Sequence, residues 1–358
     1  TSKIKGRLLY TTYSFLPELA NDFIGLNYEG SRTLLLVDEV HNLGSPSIIQ
    51  KSTEVDDDRY QNALELFGYR LGLSATPMHD FDDQRNKFLL SQFSGPYTDY
   101  ESEDGWSDLD IDMRRKRRLS TLRDSNVVFY FGLKEAIQRG VLVEFDYIPW
   151  RYTPSPEEYE ERQRVRRLWK KKIADGEARP GDDAIQAARV FKKSPTKLTV
   201  FQSILAEMDE DQRNQIFERS LLFVADLEFG RKLGRIISGY DVPYHEYFNE
   251  DDPKNLELFR DSSFLESLIT CHMISEGIDI RSVTNIFLFS SDRQRLETVQ
   301  RIGRALRKDP SKPDKRAKVF DFVNLETQDE DKPITADWER YNWLRELQDT
   351  EVLDEWKK

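Results

Sequence analysis

Runs of four to seven apolar residues bounded by polar ones recur along this chain, separated by stretches whose apolar positions repeat every three or four residues. The first pattern predicts strands and the second amphipathic helices. Arg7–Tyr13 reads as a short strand ending in hydroxyl residues, and Thr33–Val37 as a strand buried on both faces of a parallel sheet. Tyr69–Leu73 reads as a third, after a helix over Asp58–Phe67, and strand, helix, strand implies a right-handed crossover. Asp80–Arg118 follows neither period and is expected to be an irregular charged insertion. Phe131–Phe145 then predicts helix followed by strand, and Tyr147–Trp150 an extended exit from a first lobe.

Pro154 and Pro156 open a helix that runs to about Ile173. Proline is tolerated in a first turn, Glu157 and Glu158 suit its positive end, and Gly176, Pro180 and Gly181 break the chain beyond its last turn. Further on, Leu221–Ala225, Tyr244–Phe248, Leu268–Met273, Ile286–Phe289 and Val319–Val323 are strand candidates. They alternate with helices such as Leu227–Ser238 and Asp252–Asp261, the pattern of a doubly wound parallel sheet. A tryptophan-rich amphipathic helix over Trp338–Trp356, packed on the core or awaiting a partner, closes the chain. The expected division is a first lobe over 1–150 with its insertion around 80–125, a basic helical linker or insertion over 151–196, a second lobe over 197–326 and a C-terminal helical segment over 327–358.

A length of 358 residues has room for about two domains, each with its own core. The single cysteine, Cys271, excludes an internal disulfide, and four scattered histidines offer no metal-ligand spacing. No apolar run is long enough to span a bilayer, so an intracellular location is expected, cytoplasmic, or nuclear in a eukaryote. A net charge of −12 argues against a protein that coats nucleic acid with its whole surface, although basic charge is concentrated locally. Arg114–Arg118 is entirely basic, and seven of the eleven residues from Arg162 to Lys172 are Lys or Arg, with Trp169 among them. These clusters are either solvated faces or phosphate contacts, and Arg162, Arg166 and Lys170 are the nucleic-acid candidates.

Four segments carry chemistry: Asp38-Glu39-Val40-His41, Ser74-Ala75-Thr76, Glu276-Gly277-Ile278-Asp279 and Gln300-Arg301-Ile302-Gly303-Arg304-Ala305-Leu306-Arg307. In open parallel sheets ligands sit beyond the carboxyl ends of strands, and the first two segments directly follow predicted strands. On a helix, Gln300, Arg304 and Arg307 fall within roughly 60° of one another, with Leu296, Val299 and Leu306 on the adjoining face. In this order the segments resemble motifs II, III, V and VI of superfamily 2 helicases of the DExH type. The stretch from Phe131 to Asn324 is similar to their XPB-like and UvrB-like branch.

The resemblance implies an α/β fold of two RecA-like lobes, parallel sheets flanked by helices, the first lobe N-terminally incomplete. It implies ATP and Mg2+ as cofactors, with ATP hydrolysed between the lobes. Asp38 would hold the magnesium, Glu39 would be the catalytic base, and His41 would link the nucleotide to motif III. Ser74 and Thr76 would couple nucleotide state to lobe movement. Gly277, Asp279 and Gln300 would serve the nucleotide, and Arg304 and Arg307 would be arginine fingers, Arg307 on the γ-phosphate. Thr11, Thr12 and Ser275 would hold the nucleic-acid backbone.

One part of such an engine is missing. It needs a glycine-rich phosphate loop with Gly-Lys-Ser/Thr before motif II, and none of the seventeen glycines is followed by lysine. The expectation is a segment of a longer protein whose N-terminal part supplies the Walker A loop, inactive without it; a partner subunit could supply it instead. The implied function is an ATP-dependent helicase or translocase core acting on nucleic acid, DNA ahead of RNA, with the C-terminal helix open to a protein partner. The alternative is a non-catalytic nucleic-acid-binding or regulatory module of a larger complex.

Overall fold

The chain divides into two compact units, Thr1–Tyr130 and Phe131–Lys358. The structure, a computed structural model, describes residues 8–25, 30–44, 59–74, 77–78, 82–93, 113–114, 117, 120, 129–179, 181–248, 257–259, 267–271, 282–290, 295–325 and 335–350.

In the first unit a 3-10 turn, Tyr13–Phe15, leads into α1 (Leu16–Gly25), which buries Leu16, Ala20 and Phe23. Then come β1 (Leu34–Val37), α2 (Arg59–Glu65), β2 (Tyr69–Gly72) and α3 (Asp83–Phe93). The two strands are parallel, Leu34 opposite Tyr69 and Val37 opposite Gly72. Val37, Val40, Leu43, Leu64, Phe67 and Leu89 join the α1 residues in one core. The turns before the strands abut: a Cβ on Gly68 would stand 2.1 Å from the Ser31 carbonyl oxygen, so this position admits no side chain.

Three expectations change here. Residues 8–12 form no strand, and Leu8, Leu9 and Tyr10 are exposed, without the cross-strand partner that an apolar run needs. β1 is not covered on both faces, since Leu34 and Leu36 are 56% and 55% exposed while Val37 is buried. Part of the expected irregular insertion is α3, whose Leu89 packs into the unit's core and whose Leu90 is also buried. The acidic run and most of Arg114–Arg118 lie outside the described residues.

The second unit begins with α4 (Leu133–Gln138) and β3 (Phe145–Arg151). A hairpin of α5 (Pro156–Ala174) and α6 (Asp182–Lys192) follows, then α7 (Thr196–Glu207), α8 (Glu210–Phe217), β4 (Ser220–Phe223), α9 (Leu227–Ser238), β5 (Tyr244–Tyr247), β6 (Ser267–Thr270), β7 (Asn285–Leu288), α10 (Arg295–Ala305), β8 (Ala317–Val323) and α11 (Ala336–Gln348). All six strands are parallel, in the order β3-β8-β7-β4-β6-β5. Alternate strand residues face opposite layers. Leu221 and Phe223 pack with Ile137, Ile302, Leu306 and Leu344 on one side, Leu222 and Val224 with Phe201, Phe217, Phe229 and Leu233 on the other. This is a doubly wound sheet flanked by helices, the RecA-like architecture.

β3 pairs with β8 along its whole length, Phe145 opposite Ala317 and Arg151 opposite Val323. The boundary expected at residue 150 therefore falls inside a strand of the second sheet. Its partner lies more than 170 residues on, a pairing that local periodicity does not encode.

Helix starts follow their caps. Ser155 and Glu158 form a capping box on α5, as do Asp209 and Gln212 on α8, and the Asp226 carboxylate accepts the Phe229 N–H of α9 at 2.8 Å. Gly176 and Gly181, both at positive φ, turn the chain between α5 and α6. α11 docks on the sheet: buried Asp321 of β8 accepts Arg340 Nε at 2.8 Å and Nη2 at 3.0 Å, and the Tyr147 hydroxyl at 2.9 Å. No helix among the described residues is long and apolar enough to cross a membrane.

Candidate functional site

β1 ends at Val37 and delivers Asp38 and Glu39 to the carboxyl edge of the first unit's sheet. The chain turns there into a 3-10 stretch, Val40–Gly44, and Glu39 takes a left-handed conformation, φ +45°, which a non-glycine residue rarely adopts. The Glu39 N–H donates to Asp38 Oδ1 at 3.0 Å. Beside it the Leu73 N–H donates to the Val37 carbonyl and the Val40 N–H to the Leu73 carbonyl, both at 2.8 Å. These bonds hold the Asp38–Glu39 turn next to Ser74.

His41 is the hinge of the arrangement. Its buried ring has Nδ1 at 2.9 Å from Ser74 Oγ and 3.3 Å from Glu39 Oε2. A single ring nitrogen thus faces both the carboxylate of the second strand-edge residue and the hydroxyl that follows β2. Arg85 of α3 donates to the His41 carbonyl, and the Tyr13 hydroxyl donates to the Asp38 carbonyl and lies 3.2 Å from that of Glu39. Neither Tyr13 nor Arg85 stands in a recognisable sequence pattern, because each acts through a backbone carbonyl distant in sequence.

Asp38 is exposed, and the Asp38–Glu39 pair supplies oxygen donors only, which suits a hard divalent cation sharing its coordination with phosphate oxygens and water. No group of three or more His, Cys, Asp or Glu suited to a metal occurs among the described residues. Thr11 and Thr12 are exposed and engaged locally: Thr11 Oγ1 donates to the Thr12 carbonyl at 3.4 Å, and Thr12 Oγ1 lies 3.0 Å from Ser14 Oγ. Thr76 lies outside the described residues.

In the second unit α10 packs Ile302 and Ala305 into the core and carries Gln300 and Arg304. Gln300 Nε2 is buried with no hydrogen-bond partner, and Arg304 is itself buried. The expected helical face through Gln300, Arg304 and Arg307 holds only for the first two. α10 ends at Ala305, and Arg307 forms an antiparallel bridge with Leu142. The Val143 N–H takes the Leu306 carbonyl at 2.8 Å, so the segment after α4 captures backbone that would otherwise continue the helix. Lys315 Nζ donates to the Arg307 carbonyl at 2.7 Å, and burial pushes the Lys315 amine down to about 8. Ser275, Gly277 and Asp279 lie outside the described residues.

The basic helix α5 spends part of its charge internally. The Arg162 guanidinium lies 4.8 Å from the Phe191 ring centroid, and Arg166 Nε is 3.3 Å from Asp183 Oδ2. Lys170 is exposed, as are Arg167 and Lys171.

Comparison with known proteins places this geometry in context. Residues 196–309 match the family of the helicase conserved C-terminal domain. Over 335 residues, 91% of this chain, the sequence is 24% identical to the DNA 3'-5' translocase XPB2 of Sulfurisphaera tokodaii, and the match spans 65% of that curated relative's length. Among solved structures, the C-terminal part of the Fun30 ATPase domain aligns over 56% of each chain with 12% identity and a TM-score of 0.31.

Proposed function

We propose that this chain is a superfamily 2 helicase/translocase, supported by the match of residues 196–309 to the helicase conserved C-terminal domain, and that it is the core of an ATP-driven engine moving along or opening DNA. The observation that carries the reading is the His41 ring set against both Glu39 and Ser74. A base that deprotonates water and a hydroxyl beyond the next strand share one imidazole, so a change at either can reach the other.

Bound MgATP would supply the phosphoryl group together with the cation that neutralises it, held at the oxygen donors of Asp38. Glu39 would orient the attacking water and accept its proton, with its carboxylate fixed by His41 and its backbone by Tyr13. Arg304 and Arg307 are assigned to charge developing on the transferred phosphoryl, and Gln300, Gly277 and Asp279 to nucleotide contacts. Ser74 and Thr76 are assigned to coupling, and Thr11, Thr12, Ser275 and the exposed face of α5 to the nucleic-acid backbone. DNA is preferred as the substrate because the aligned relative is described as a DNA translocase.

The test uses the protein at its natural length. Glu39→Gln should lower DNA-stimulated ATP hydrolysis by about 10²–10⁴-fold while leaving the melting temperature and nucleotide binding in place, the range for loss of a general base. Turnover equal to wild type would sink the enzymatic reading. A wild type that binds DNA but hydrolyses no ATP would leave a nucleic-acid-binding module.

A further inference from the structure

Past the end of α10 the backbone of Arg307 is held on both sides of its Cα. The carbonyl before it, that of Leu306, accepts the Val143 N–H at 2.8 Å, and its own carbonyl accepts Lys315 Nζ at 2.7 Å. Arg307 itself pairs with Leu142 in an antiparallel bridge. Peptide groups are planar, so fixing the two that flank a Cα fixes the direction in which its side chain departs. One of those two peptides is held by a side chain, Lys315, to which the proposed function gives no role.

Lys315 is 9% exposed, and burying an ammonium is costly unless it meets a strong acceptor. Burial holds the amine down to about 8, so it is still a cation at pH 7. Its acceptor stands just beyond Ala305, at the negative end of α10, where carbonyls lack intrahelical donors and a cation is favourable.

The intervening chain is folded to make this reach. Asp309 Oδ1 accepts the Ser311 N–H at 2.9 Å and the Ser311 hydroxyl at 2.6 Å. The Lys312 N–H donates to the Asp309 carbonyl at 2.9 Å, and the Lys315 N–H to the Lys312 carbonyl at 3.1 Å. The next residue points elsewhere: exposed Arg316 lies 2.6 Å from Glu144 Oε2 and 2.7 Å from Asp146 Oδ1, at the start of β3. Arg316 fastens the segment to the sheet, whereas Lys315 turns inward to Arg307.

We infer that Lys315 is a positioning residue that fixes the Arg307 backbone beyond α10, so that the Arg307 guanidinium leaves the chain in one direction. As a contribution to phosphoryl transfer this rests on the proposed ATP-driven activity, in which Arg307 is assigned to the developing charge. As a backbone clamp it stands without that activity.

The test uses the protein at its natural length, at pH 7, and Lys315→Met, which keeps an apolar stem and loses the donor. Hydrogen exchange at the Val143 amide should accelerate about tenfold or more, the size expected when a charge-assisted hydrogen bond beside it is lost, while the amides of β4 keep their wild-type rates. The kcat of DNA-stimulated ATP hydrolysis should fall about 10- to 100-fold, the range for a misplaced catalytic group, with the KM for ATP within about twofold. Arg316→Gln, which loosens the same segment without removing the donor to the Arg307 carbonyl, should leave kcat within about twofold of wild type. Wild-type exchange at Val143 in Lys315→Met overturns the inference. So does a kcat within about twofold of wild type, or an Arg316→Gln enzyme as slow as Lys315→Met. If the wild type hydrolyses no ATP, the proposed function fails, and the exchange rate alone decides whether Lys315 clamps Arg307. If Lys315→Met does not fold, Lys315→Gln, shorter and uncharged, is read by the same measurements, and wild-type values there are equally fatal.

Discussion

Replacing Arg340 by leucine should lower the unfolding free energy of the second unit by about 3–5 kcal/mol, the cost of breaking a buried ion pair by removing one partner. Asp321 is fully buried, and two of the three hydrogen bonds to its carboxylate come from the Arg340 fork, at 2.8 and 3.0 Å. At about 1.5–3 kcal/mol for each bond to a charged group, those two account for the same range. The Tyr147 hydroxyl at 2.9 Å would be left as the carboxylate's remaining donor of the three. Burial already drives the Asp321 carboxyl upward and Arg340 opposes it, so without the guanidinium the carboxyl rises further. A folded-state pKa above the unfolded value means that the native state holds the extra proton in the window between the two. Stability then falls as pH rises through that window, and the variant should be less impaired at pH 5 than at pH 8. Urea unfolding followed by tryptophan fluorescence is the assay, since Trp338 and Trp343 lie on α11 itself. Asp321→Asn combined with Arg340→Leu should recover at least about 2 kcal/mol of the summed single losses. A single-variant cost below about 1 kcal/mol, or additivity within about 0.5 kcal/mol, would refute the view that this pair anchors α11.

The Lys197 amine, fully buried, is held down to about 8 from an ordinary 10.5, chiefly by desolvation. Below pH 8 both folded and unfolded chains carry the proton and the burial penalty is present in full; between about 8 and 10.4 only the unfolded chain keeps it, so stability rises with pH. Wild type should gain about 3 kcal/mol on Lys197→Met across that interval in chemical denaturation, and a flat difference would count against a buried charged amine. On α5, changing Arg167, Lys170 and Lys171 together to glutamine should reduce the slope of log affinity for DNA against log salt by about 2–3, whereas an unaltered slope assigns this face to solvent.

Local rules account for the elements that were legible in sequence. α5 begins at Pro156 behind its cap Ser155 and stops before Gly176, α9 spans Leu227–Ser238 as its period predicts, and the strands of the second sheet begin within a residue or two of where the apolar runs place them, although β6 ends at Thr270, short of the expected Met273. A cap, a breaker and a hydrophobic period each act within about one helical turn, so the chain states them directly. The residues expected to carry chemistry are equally visible as Asp38-Glu39-Val40-His41, Ser74 and Gln300 to Arg307, in an order that resembles superfamily 2 helicases.

Other features depend on partners far apart along the chain. β3 joins the second sheet because β8 pairs with it, not because of anything in Phe145–Arg151. Leu34 and Leu36 look like core and are exposed, since an apolar run does not say which of its faces is covered. Arg307 leaves α10 because Leu142 pairs with it and the Val143 N–H donates to the Leu306 carbonyl, which the helical period of Gln300–Arg307 cannot register. Tyr13, Arg85 and Arg301 act on carbonyls 11 to 44 residues away. The order of side chains was enough to specify most helices and strands of the second unit, and it set out the polar groups on which the proposed function rests. Packing specified which backbone groups those side chains meet, because a carbonyl carries no sequence signature and becomes a partner only when the chain brings it within hydrogen-bond reach.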